Sequence, residues 1–160
     1  MRRGAAAFSA YAENAAAQHP VRRLFENRSA VMNPPVLRVA RPTNDIDTLV
    51  RFYTKALGFD VVARFENHEG FDGAIVGRAG YPWQIEFTHR HGVTVARAPT
   101  AEHLLVFYLP DRGAWTEAVA RMRAYGATPC RPENPYWDRE GVTFEDPDGY
   151  RIVLQNAQPD

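Results

Sequence analysis

Cysteine is almost absent: Cys130 is the only one among 160 residues, so no intrachain disulfide can form and the chain reads as one made for a reducing compartment. Excess charge is absent too. Nineteen Lys and Arg balance nineteen Asp and Glu, which removes the summed field that would draw in nucleic acid or an anionic membrane. No apolar run is long enough to cross a bilayer, and the alanine-rich start is broken by Glu13 and Asn14, which a secretory core avoids. There is no G-x-S-x-G element and no phosphate-binding glycine loop. The expectation is a cytoplasmic protein with neither nucleic acid nor membrane as partner. What the chain does carry is 45% hydrophobic and 12% aromatic residues, enough for a compact core without staples.

The charge balance hides an asymmetry. The first 35 residues hold five arginines against Glu13 and Glu26, and their Ala5-Ala6-Ala7 and Ala15-Ala16-Ala17 runs offer few large side chains to bury. Residues 1–33 therefore read as a basic, alanine-rich appendage: a tail, an oligomer arm, or a stretch outside the native protein if translation begins at Met32. A patterned domain over 34–157 follows, with module one at 34–90, a connector at 91–102 and module two at 103–157.

Module one opens with a short apolar strand, Val36 to Arg41. Thr43-Asn44-Asp45 then cap a helix with apolar positions Ile46, Leu49, Val50, Phe52, Tyr53 and Leu57, stopped by Gly58. Strands are expected at Phe59 to Phe65, Gly73 to Arg78 and Trp83 to His89, separated by Glu69-Gly70 and Gly80-Tyr81-Pro82. After the connector the order repeats. A strand at His103 to Leu109 is followed by a helix from Pro110-Asp111 to Gly126 and by strands at Thr128 to Arg131, Val142 to Glu145 and Tyr150 to Gln155. Each unit is near sixty residues and too small to be stable alone, so the two are expected to pack into one domain.

Strand residues alternate sides. One set in each strand is core. The other gathers Arg38 on the first strand, Gln84 and Glu86 on the strand from Trp83, His103, Leu105 and Phe107 on the fifth, and Arg151, Val153 and Gln155 on the last. A mix of polar and apolar side chains fits the lining of a ligand cavity, with a solvent face as the bland alternative.

Leu37-Arg38-Val39, Phe52-Tyr53-Thr54-Lys55-Ala56-Leu57-Gly58-Phe59, Ile85-Glu86-Phe87-Thr88 and Glu145-Asp146-Pro147-Asp148-Gly149-Tyr150-Arg151-Ile152 together resemble the vicinal oxygen chelate superfamily, which includes glyoxalase I, bleomycin-resistance proteins and extradiol dioxygenases. The resemblance spans Val36 to Asn156. It implies an α+β fold in which two βαβββ modules form a curved eight-stranded mixed sheet around a cavity, a divalent metal as cofactor, and a homodimer. It carries the family's metal ligands onto Glu86 and His103. The first-strand ligand falls on Pro34 and the last-strand ligand on Val153, neither of which has a donor side chain. One carboxylate and one imidazole fall short of the roughly three protein ligands of a catalytic zinc-like site. A rewired centre using His68, His89 or His91 is the alternative.

By the same resemblance Arg38 matches an arginine that grips a carboxylate of the ligand, and Glu86 matches a group positioned over the substrate carbon, which makes it the candidate catalytic base. Tyr136 and Trp137, in a proline-bounded loop, cover one end of the cavity, pack on a partner subunit, or belong to the core. Cys130 reads as a packed thiol. The ligand-binding set is thus Arg38, Gln84, Phe107, Tyr136, Trp137 and Arg151, with Glu86 as base and Glu86 and His103 as the remaining metal ligands. The expected function is binding of a small anionic or aromatic organic molecule in a sheet-lined cavity. The alternatives are a metal-dependent lyase, isomerase or dioxygenase, and an interaction domain with a vestigial cavity.

Overall fold

A computed structural model describes residues 35–159; the appendage at 1–33 and Pro34 lie outside the described residues. Strand β1 (Leu37–Pro42) leads into α1 (Ile46–Arg51), which widens into a π-helical turn at Phe52–Ala56. Three strands follow: β2 (Asp60–His68), β3 (Phe71–Gly77) and β4 (Trp83–Arg90). After the connector come β5 (Leu104–Tyr108), α2 (Arg112–Tyr125), a 3-10 turn at Pro135–Asp138, β6 (Gly141–Glu145) and β7 (Arg151–Gln155). The first sheet has the order β1-β4-β3-β2 and the second β5-β7-β6, and in each the first strand runs parallel to the last.

The mixed α+β architecture of two repeated modules is there, with seven strands among the described residues rather than eight. The stretch from Thr128 to Arg131, expected as a strand, contributes one backbone bond, from the Cys130 N–H to the Thr143 carbonyl at 2.8 Å. Pro129 and Pro132 flank that bond. Without an N–H they cannot extend a ladder, which is the signal the apolar pattern had obscured.

Local chemistry sets the helix ends. Gly126 closes α2 at φ 99°, a left-handed conformation that costs a Cβ-free residue little. Asp45 opens α1: the Thr48 hydroxyl at 2.6 Å and the Thr48 N–H at 2.9 Å both donate to its carboxylate, and these bonds hold it below its ordinary value of 3.8. Asp45→Ala is expected to cost about 1 kcal/mol. Because the folded value is depressed, that contribution is complete above the unfolded value and disappears as pH falls through the folded one. Thermal melts of both proteins should therefore differ at about pH 7 and converge as pH falls below the ordinary aspartate range.

Both sheets turn one face to a single apolar core. Ala74, Val76, Ile85 and Phe87 from the first sheet and Phe144, Ile152 and Leu154 from the second are buried there, with Leu49, Val50, Phe52 and Tyr53 from the first helical segment and Val119 and Met122 from α2. Helix contacts join the modules. Phe52 meets Tyr125 edge-to-face at 5.8 Å, and the Arg121 guanidinium donates to the Ala56 and Leu57 carbonyls at 3.2 Å, closing the first helical segment from the second module. Since strand residues alternate sides, Arg38, Gln84 and Glu86 stand on the face of the first sheet turned away from this core.

Candidate functional site

The outward face of the first sheet assembles three of the expected residues. Pairing of β1 with β4 sets Arg38 beside Gln84 and Ala40 beside Glu86, and pairing of β3 with β4 sets Ile75 on the other side of Glu86. Arg38 donates from Nη2 and Nε to Gln84 Oε1 at 2.7 and 3.1 Å, and from Nη1 to Glu86 Oε2 at 3.3 Å. The Arg38 side chain stays 47% exposed, whereas that of Glu86 is 16% exposed. Ile75 is buried. A carboxylate held between an apolar wall and a guanidinium is anchored in orientation, because two of its neighbours on the sheet cannot move away.

Phe107 corrects the face reading of β5. It and Leu105 pack against the core, and the Phe107 ring lies 5.4 Å from Phe59 and 5.6 Å from Trp83. Leu104, Val106 and Tyr108 form the outward row. Five apolar residues in succession leave no polar marker of which alternate set is inside, so periodicity alone could not decide. His103 immediately precedes β5, is exposed, sits with Nδ1 2.9 Å from Thr100 Oγ1 and rests edge-on against Tyr150.

Arg151 lies on the outward face of the second sheet, joined to Glu145 at 3.3 Å and in contact with Cys130 Sγ. Glu145 is also held by Arg97 at 2.7 Å. Tyr136 and Trp137 pack edge-to-face at 4.9 Å on the 3-10 turn beside β6, and the space over Gly141 is filled by the Trp137 carbonyl and the Gln155 side chain. On this sheet Thr143 Oγ1, Arg151 Nε and Gln155 Oε1 are buried without a partner, as are Arg41 Nε and Asp148 Oδ2 elsewhere among the described residues. The structure thus brings Arg38, Gln84 and Glu86 together, and sets Arg151, Tyr136 and Trp137 on the other sheet.

Two hollows are present elsewhere. An apolar cleft of about 240 Å³ lies on the helix side, among Phe59, Tyr81, Trp83, Phe107 and Arg121. A wider one of about 410 Å³ runs past Asp45, Arg64, Phe65, Asp72, His89 and His91. Neither contains Arg38, Gln84 or Glu86, which stand on an open sheet face.

The family follows from comparison with known proteins. A model of the YycE-like N-terminal domain matches residues 37–88, and one of the YycE-like C-terminal domain matches residues 102–156. The chain belongs to the YycE-like family. It is 38% identical over 122 residues to the uncharacterized protein YycE of Bacillus subtilis, covering 76% of this chain and 88% of that protein. The crystal structure of a YycE protein of unknown function from the same organism superposes with a TM-score of 0.72 at 37% identity, over 78% of this chain and 90% of that one. The trypanothione-dependent glyoxalase I of Leishmania major gives 0.60 at 25% identity, over 76% and 85%. TnmS3, an antibiotic binding protein from Streptomyces sp. CB03234, gives 0.55 at 25% identity, over 78% and 95%. These likenesses place the YycE-like fold in the vicinal oxygen chelate superfamily.

A divalent ion is what that superfamily implies, and the described residues of this YycE-like chain do not fit one. On the sheet face, Glu86 is flanked by Ala40 and Ile75, which offer no donor side chain, and its own oxygen is engaged by a guanidinium. Val153 is fully buried and apolar. The β1 residue that reaches Glu86 is Arg38; Pro34, on which the motif sets the first ligand, lies outside the described residues. His91 Nε2 is paired with Asp72 at 3.0 Å, and His89 Nδ1 is 3.0 Å from the Thr43 carbonyl. Among the described residues no three His, Cys, Asp or Glu side chains are grouped to hold an ion. No described helix is long and apolar enough to cross a membrane.

Proposed function

We propose that this YycE-like chain binds a small anionic or aromatic organic molecule against the outward face of its first sheet, with Arg38 and Gln84 as anchors. Glu86 serves as the base where turnover occurs. The observation that carries this reading is the Arg38–Gln84–Glu86 cluster, in which a half-exposed guanidinium is oriented by two side chains of the neighbouring strand. An arginine so fixed loses little freedom when it takes a carboxylate.

The site closes in a homodimer. The outward face of the second sheet from another copy, with Arg151, Tyr136 and Trp137, supplies the opposing wall. The relatives include both glyoxalase I enzymes and an antibiotic binding protein, so turnover is the second question and binding the first.

A thermal-shift screen of the full chain against carboxylates and aromatic acids, run beside sedimentation equilibrium, tests both parts. Stabilisation lost in Arg38→Ala, on a dimeric protein, is the expected result; a monomer, or stabilisation indifferent to Arg38, refutes the reading. For any compound that is turned over, Glu86→Gln should lower the rate by on the order of 100-fold or more while leaving the thermal shift in place. Unchanged turnover would remove Glu86 from the chemistry.

A further inference from the structure

We propose that the apolar cleft on the helix side is a second ligand site, for a small aryl carboxylate whose ring lies among aromatic side chains and whose anion is held by Arg78 and Arg121. The inference goes beyond the site on the first sheet: the cleft encloses about 240 Å³ and contains none of Arg38, Gln84 and Glu86.

Four rings form one wall. Trp83, the first residue of β4, has its ring centre 5.2 Å from that of Phe59, 5.6 Å from Phe107 and 5.7 Å from Tyr81. Each of the four keeps some exposure, and Tyr81 is 50% exposed. Leu57, Ala118 and Leu154 are buried behind them and make the floor aliphatic. Protein interiors pack to nearly crystalline density, so a hollow of this size walled by partly exposed rings has the character of a ligand site rather than of a core. About 150 Å³ is enough for a benzene ring in an apolar cavity; this cleft therefore takes one ring with a substituent, or two fused rings. Its lining comes from both modules, so a molecule there is gripped between them.

The charge around the cleft is of one sign. Arg78 directly follows β3 and Arg121 lies on α2, and both converge on the turn that ends the first helical segment. Arg121 donates from Nε and Nη2 to the Ala56 and Leu57 carbonyls at 3.2 Å, and Arg78 donates from Nη2 to the Gly58 carbonyl at 3.4 Å. Both arginines line the cleft and no acidic residue does. Among the described residues neither guanidinium is paired with a carboxylate. With one N–H of Arg78 and two of Arg121 so engaged, most of the five on each guanidinium are left for a ligand. Two like charges drawn to one turn repel, and a carboxylate set between them removes that repulsion while accepting hydrogen bonds from both. A neutral aromatic molecule fills the hollow but leaves the arginines unbalanced, and an aromatic cation worsens the balance.

The test titrates 2-naphthoate into the ¹⁵N-labelled full chain and follows the Trp83 indole N–H, assigned through Trp83→Phe. The resonance should shift saturably, and 2-naphthalenemethanol, which has the same rings without the charge, should bind about 10-fold or more weakly. Arg78→Gln alters an exposed side chain and should weaken naphthoate by about 10-fold or more. Ala118→Leu, which fills the hollow, should abolish the response in a protein whose melting curve shows it folded. Arg38→Ala should leave the naphthoate affinity unchanged. No saturable shift at Trp83, equal binding of the alcohol, or an affinity indifferent to Arg78→Gln or to Ala118→Leu overturns the inference. So does a response lost in Arg38→Ala, which would move the ligand to the first sheet. The first-sheet reading stands or falls on the Arg38 dependence of its own screen, so the two failures are read apart.

Discussion

Asp146→Ala is expected to remove about 3–5 kcal/mol of folding stability, a large share of what a domain of this size has. The carboxylate is fully buried and fully used. Oδ2 accepts from Arg41 Nη2 at 2.6 Å and from the Tyr53 hydroxyl at 2.9 Å, and Oδ1 accepts from the backbone N–H groups of Asp148 and Tyr150 at 3.0 and 2.9 Å. Arg41 comes from β1 and Tyr53 from the first helical segment, so the cluster ties module one to the turn between β6 and β7. Its guanidinium also lies over the Tyr150 ring at 3.6 Å. Burial lowers the affinity of Arg41 for its proton, but the nearby Tyr53 and Asp146 outweigh this and leave its pKa raised. Burial, then the Asp146 charge, push the Tyr53 hydroxyl well above its usual 10.0, so it remains a neutral donor.

Removing the carboxylate strands a buried arginine, and the cost is that uncompensated charge rather than the worth of the pair. The double replacement Arg41→Met with Asp146→Leu should therefore recover much of the loss. Urea unfolding followed by tryptophan fluorescence measures both; a loss under about 1 kcal/mol for the single variant would mean water reaches Arg41.

The same cluster shows what was legible beforehand and what was not. Asp146 was visible as part of the E-D-P-D-G-x-x-I signature, but its partner Arg41 lies 105 positions away and nothing local marks an arginine in an apolar strand as buried. The helix starts at Asp45 and Asp111 and the stops at Gly58 and Gly126 were legible because caps act within a few residues. The split of β4 into Trp83, Ile85 and Phe87 against Gln84 and Glu86 was legible because polar residues mark one side. Phe107 was misplaced because β5 carries no such mark. That Arg38 is the β1 residue meeting Glu86 was not legible, because a motif fixes spacing along one strand, whereas that contact depends on register between two strands.

Phe144→Ala should destabilise both modules at once, by about 3–5 kcal/mol. Phe144 belongs to β6 in the second module, yet its fully buried ring lies in the same core as Leu49, Tyr53 and Phe87 of the first. A cavity there is surrounded by residues held by two sheets and two helical segments, which limits collapse around it and keeps the cost near the upper end for a buried aromatic. Because each helical segment packs on its own sheet and the two segments meet through Phe52, Tyr125 and Arg121, a breach in the shared cluster reaches both modules. Hydrogen exchange gives the decisive readout. Amides of β4, paired with β1 and β3, and amides of β7, paired with β5 and β6, should lose protection together and by equal free energies. If β4 keeps its protection while β7 loses it, the modules hold separate cores, and the outward faces on which the ligand site depends would no longer be fixed relative to a common interior.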